Sequence, residues 1–173
     1  VHRSGIESRK AGRRYLGYLI GASIILFLPA VIWVNYLSGS LEFTSGGLIT
    51  GTEISETAII FLLLLFAFGI GKSALMPLHK WLPAAMVAPT PVSALLHAVA
   101  VVKAGVFCIT KVIFYIIGVN TLSTINDSAL NPEILSYIAA ITLLLASTIA
   151  IFKDNLKSRL AYSTIAQLSY VVI

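Results

Sequence analysis

The chain has 173 residues, 58% of them apolar and only 11% charged, with a net charge of +5. Soluble domains carry roughly a quarter charged residues, so this chain has too little charge to cover a water-facing surface and reads as a membrane protein. One cysteine, Cys108, excludes an internal disulfide framework; lying in an apolar run, it is expected to be a small core residue.

A bilayer core of about 30 Å needs about 20 mostly apolar helical residues. Five segments meet that need. Tyr15–Leu37 is uncharged, with Trp33 and Tyr36 as interfacial anchors near one end. The second segment begins near Ile54 and reaches Gly71, just before a proline-rich link. Val92–Val119 is long and apolar except for His97, Lys103 and Lys111, and Leu135–Phe152 follows it. The fifth begins near Leu160. Lipid offers the backbone no hydrogen-bond partner, so these spans should be helices. A membrane barrel would show short alternating segments instead. The expected fold is all-α: one polytopic transmembrane helix bundle over residues 1–173, with one proline-broken helix. The chain starts on Val1 and stops in the apolar run LSYVVI, so it reads as an internal piece of a longer subunit.

The connections support one orientation. The first stretch holds Arg3, Arg9, Lys10, Arg13 and Arg14, whereas Ser38–Glu53 holds no Lys or Arg but has Glu42 and Glu53. The proline-rich link carries Lys80. Asn120–Glu133 carries Asp127 and Glu133, and the link after Phe152 carries Lys153, Lys157 and Arg159. Basic connections alternate with neutral or acidic ones, which places the N-terminus and every second loop on the cytoplasmic side. The basic clusters are thus topology signals. No aromatic interleaving accompanies them, and nucleic acid is not an expected partner.

Charges inside spans cost about 2.5–3.5 kcal/mol each on insertion scales and mark ion paths. Lys103 lies near the middle of its span. It is either a structural lysine paired with an acid on another helix or a buried site that takes and gives protons. Burial disfavours its charged form and a nearby carboxylate restores it. Lys72 either snorkels from a helix end or, because Pro77 and Pro83 break the helix beside it, lines a wet cavity. His97 is either a hydrogen-bonded helix-packing histidine or part of a proton relay, a role that imidazole suits. Six residues place it about 240° from Lys103, whereas His97 and Lys111 lie within about 40° of each other. Lys111 has a snorkelling reading near the outer end. His79 and Lys80 have an interfacial reading and a second one as a proton entry. Thr90, Pro91 and Ser93 restart the helix, with a hydroxyl cap. The three histidines are too scattered for a metal site. GIGK at Gly69–Lys72 lacks the rest of a phosphate loop, and no nucleophile context is present. No cofactor or self-contained catalytic site is expected.

KSALMPLHKWLPAAMVAPTPVSALLHAVAVVKAG (Lys72–Gly105) resembles the core signature of the antiporter-like subunits. These are shared by Mrp-type monovalent cation/proton antiporters and respiratory complex I, NADH:quinone oxidoreductase. LKSRLAYSTIAQLSY (Leu156–Tyr170) is similar to a second segment of that family. The resemblance implies a subunit of about fourteen helices, of which this chain supplies the sixth to the start of the tenth. It implies that Lys72, His97 and Lys103 match the family's central proton path, and that Lys72 pairs with a glutamate outside this chain. Ala84 departs from the pattern, since many members carry an acid there. The presence of both His97 and Lys103 leans toward the antiporter branch. The implied function is proton movement coupled to Na⁺ or K⁺ through a Lys/His relay, within a complex of several membrane subunits. The alternative is a proton-pumping subunit of complex I. The implied location is a bacterial inner membrane.

Overall fold

The computed structural model describes residues 6–49, 54–86, 88–98, 101–125 and 133–173. Arg3, Glu53 and Asp127, whose charges entered the topology reading, lie outside these residues. The architecture is all-α, with no strand among the described residues.

The chain begins with α1 (Ile6–Ala22), a π turn (Ser23–Phe27) and α2 (Leu28–Ser38). Together they form one continuous helix, whose stretch Arg9–Ser38 is long and apolar enough to cross a bilayer. Pro29 explains the π turn. Proline has no N–H to return to the carbonyl four residues earlier, and the chain widens by one residue just before it. The Leu28 N–H reaches back to Ser23 O instead. Then come α3 (Glu56–Gly69), a 3₁₀ turn (Leu78–Lys80), α4 (Trp81–Ala85), α5 (Thr90–Ala98) and α6 (Val101–Lys111). A second π turn (Val112–Ile117), α7 (Val119–Thr124), α8 (Ile134–Ile151) and α9 (Leu156–Val172) complete the chain. Ile134–Ile151 also meets the length and apolarity of a span. The other expected spans are assembled from shorter pieces, and α7 is helical where a loop was expected.

α8 and α9 form an antiparallel hairpin. Asn155 caps α9 by accepting the Lys157 N–H at 3.0 Å. Ala146 and Ala161, both fully buried, let the packed helices approach closely. One core gathers Ala30 and Val34 of α2, Ile60 and Phe66 of α3, and Ile117 of the second π turn. A second gathers Trp81, Leu82, Val102 and Ile165. Cys108, expected in a core, is exposed: α6 turns it outward, away from the buried row Val102, Val106 and Ile109. Ser93 is no acceptor cap, because its hydroxyl donates to Ala88 O at 3.1 Å.

Where the first helix meets α3, a Cβ on Gly69 would stand 2.5 Å from Phe27 N. The π turn and this glycine therefore touch backbone to backbone. Edge-on packing of Phe27 on Phe66, with centroids 5.8 Å apart, seals the crossing.

The break in the second span begins at Gly71. This residue takes a left-handed φ of +55°, and Ala74 does the same. Pro77 stands in the non-helical stretch, whereas Pro83 lies inside the first turn of α4, where proline is tolerated. The exposed backbone of the break is satisfied by named partners. The Trp81 indole N–H donates to Gly71 O at 3.0 Å, and the Ala74 N–H donates to the same oxygen at 3.2 Å. The Met76 N–H donates to Thr142 Oγ1 of α8 at 3.3 Å, while the Thr142 hydroxyl donates to Ile138 O at 2.7 Å.

Two outcomes follow for the full subunit in its complex. Thr142→Val leaves the Met76 N–H unpaired and should cost about 1–3 kcal/mol, read as a lower thermal midpoint. Gly69→Ala should cost a similar ~1–3 kcal/mol through overpacking against Phe27. Gly12→Ala, whose Cβ meets nothing within 4 Å, should leave the midpoint unchanged. Wild-type midpoints for the first two variants would remove both contacts from this account.

Candidate functional site

Lys72 sits at the start of the break, between Gly71 and Ser73, with its side chain on the surface of the chain. Its N–H turns back to Ile70 O. The next residue, Ser73, is buried and donates to Ala67 O at 3.5 Å. The lysine is therefore carried by backbone that has left the helix and is held in place on both sides.

α6 packs directly on this point. A Cβ on Gly105 would stand 2.5 Å from both Lys72 C and Ser73 N. Only a residue without a side chain lets the two backbones meet. Gly105 lies two residues after Lys103, about 200° round α6, so the break packs on the helix face roughly opposite the Lys103 side chain. Lys103 is exposed on α6 and opens onto a groove of about 450 Å³ shared with α9. The α9 side of this groove presents Ser163, Thr164 and Gln167.

His79 lies in the 3₁₀ turn and is 9% exposed. Its ring stands 6.1 Å from the Tyr162 ring of α9, and among the described residues its Nδ1 has no hydrogen-bond partner. Its neighbour Lys80 is exposed. His97 falls in α5, but its side chain lies outside the described residues. Lys111 stands apart from the break, at the end of α6. Its Nζ lies 4.3 Å from the Tyr115 ring centroid and 5.7 Å from those of Phe43 and Phe107, a cation–π setting. There the loop after α2 docks on the second π turn. The Leu48 and Ile49 N–H groups donate to Tyr115 O and Ile116 O at 3.2 and 3.1 Å.

The structure thus sets the Lys72 backbone against Gly105 of α6, Lys103 in a groove shared with α9, and His79 against Tyr162 of α9. It sets Lys111 against an aromatic box near the outer loop. Three contributors escaped the sequence reading. Trp81 and Thr142 satisfy the break, and Gln167 lines the groove that Lys103 opens onto. Thr142 in α8 and Gln167 in α9 are each one polar residue among several in their helices, so neither stood out locally. The Met76 N–H that Thr142 meets is 66 residues away in the chain, beyond any local pattern. Among the described residues, no group of three His, Cys, Asp or Glu could hold a metal ion.

Comparison with known proteins gives the family. The family model described as NADH:quinone oxidoreductase/Mrp antiporter, TM, matches residues 2–173. Similar relatives are the chloroplastic NAD(P)H-quinone oxidoreductase subunit 5 of Phaseolus vulgaris, 36% identical over 153 residues, and that of Lotus japonicus, 38% identical over 152. Each alignment covers 84% of this chain and 19% of the relative. The chain therefore spans about a fifth of the length of these proteins. The relatives carry oxidoreductase names, so the lean toward the antiporter branch draws no support from them. Their chloroplastic origin also overturns the expected bacterial inner membrane. Loop charges report orientation in a membrane, and they do not distinguish one such membrane from another. The chain belongs to the transmembrane subunit family shared by NADH:quinone oxidoreductases and Mrp antiporters.

Proposed function

We propose that this chain is the central part of a proton-pumping membrane subunit of an NAD(P)H:quinone oxidoreductase, with Lys72 and Lys103 as proton carriers. One observation carries the reading: the backbone bearing Lys72 lies against Gly105, two residues from Lys103. A membrane interior disfavours the ammonium form of a lysine, and a carboxylate brought to Lys72 from the rest of the subunit favours it. Alternation between these states moves a proton one step. His97 serves as a further relay residue between the two lysines. His79, buried with an unused ring nitrogen and next to Tyr162, serves as the entry on the α4 side.

Electron transfer belongs to other subunits, and this chain supplies none of its groups. The protein's partners are the adjoining membrane subunits of the same complex and the proton itself. Coupling to Na⁺ or K⁺ is the second reading, favoured by the co-occurrence of His97 and Lys103.

The test uses the intact complex in sealed vesicles with NAD(P)H and quinone. Positioned proton-transfer groups are worth about 10²–10⁴ in rate, so Lys103→Ala should lower protons moved per quinone reduced by at least about tenfold, with assembly retained. Normal stoichiometry in that variant would end the role assigned to Lys103. A proton flux driven by a sodium gradient without NAD(P)H or quinone would favour the antiporter. Gly105→Ala should separate the break from α6, lowering the same ratio and costing about 1–3 kcal/mol of stability. Unchanged pumping in that variant would show that the backbone contact is dispensable.

A further inference from the structure

The groove between α6 and α9 holds a combination of groups that the lysine relay does not use. Its volume of about 450 Å³ has room for a chain of waters, each of which takes about 30 Å³ in the liquid. Val106 and Leu168 give it apolar walls. Lys103 is the charged group among its described lining residues, and α9 contributes Ser163 and Gln167 to the same lining. The two are four residues apart, so they share one face of α9, one turn above the other. Thr164 is committed elsewhere, since its hydroxyl donates to Leu160 O at 2.7 Å.

We infer that Gln167 is the positioning residue for Lys103, working with Ser163 to hold the amine and a short file of water along α9. This rests on the reading of Lys103 as a proton carrier. The chemistry singles out a carboxamide. An ammonium offers three donors and no acceptor, whereas the neutral amine offers a lone pair that accepts. The Gln167 carbonyl can accept from the first, and its amide N–H can donate to the second. A carboxylate in that place would favour the ammonium and pin the proton. A hydrocarbon side chain would leave both forms unpartnered. Gln167 therefore suits a lysine that must both hold and release its proton, and it carries no proton of its own. Among the described residues, Lys72 is the charged residue whose backbone packs on this part of α6, on the face of Gly105.

The experiment compares wild type, Gln167→Leu, Gln167→Glu and Lys103→Ala in the intact complex in sealed vesicles. It measures protons moved per quinone reduced as a function of pH. Gln167→Leu should lower the ratio several-fold while quinone reduction continues. Gln167→Glu is nearly isosteric and adds a charge. It should hold Lys103 protonated, so release requires higher pH and the pumping profile moves up by about 1–3 units. If Gln167→Leu fails to assemble, the Gln167→Glu profile decides alone. A wild-type ratio and an unmoved profile in the Gln167 variants, with pumping lost in Lys103→Ala, would overturn this inference and leave the role of Lys103 standing. Normal pumping in Lys103→Ala would remove both.

Discussion

A backbone amide at membrane depth has no water to turn to, so every helix break must bring its own partners. That constraint organises this chain. The break at Gly71–Pro77 exposes carbonyls and N–H groups, each costing about 1–3 kcal/mol if left buried and unpaired. Trp81 answers one from ten residues ahead, and Thr142 answers another from a different helix. The fully buried Trp81 is also where Tyr15 of α1 packs edge-on, with ring centroids 5.6 Å apart. One indole thus ties the first helix, the break and α4 together. The irregular segment is held as firmly as the helices around it, and Lys72 inherits a defined position.

Backbone-to-backbone contact is the second device. Gly69 meets the first π turn at Phe27, and Gly105 meets the break at Lys72 and Ser73. Gly47 meets Gly118, with a Cβ-to-backbone approach of 2.7 Å. In each case an irregular turn on one element meets a glycine on another. Without a hydrophobic force between helices in lipid, close approach and interhelical hydrogen bonds supply the association. The same sites therefore stabilise the bundle and expose backbone polar groups toward one another. That pairing makes irregular backbone compatible with a membrane.

The chemistry then depends on which side chains these contacts leave on the surface. Lys72 and Lys103 are both turned outward from the cores. Lys111, which the sequence grouped with them as a further cation in the same span, is instead absorbed by three rings where an outer loop docks. Identical residue types eight positions apart thus have different surroundings, set by the loop after α2 and by the second π turn.

Long apolar runs determined the all-α class and the spans Tyr15–Leu37 and Leu135–Phe152, which the structure extends to Arg9–Ser38 and sets at Ile134–Ile151, because hydrocarbon length and backbone satisfaction leave a helix little competition. The Lys72–Gly105 motif determined the family, and the comparisons agree. The sequence also marked Lys72 and Lys103, because a charge amid apolar residues stands out wherever it falls. The sequence ended the second segment at Gly71, but tertiary structure alone decided how the break is held there, with a left-handed turn clamped by Trp81. It alone decided that Pro29 acts through a π turn docked on Gly69, and that Thr142 partners the break. Those partnerships join residues far apart in the chain, and a local pattern carries no record of which distant backbone a side chain will reach.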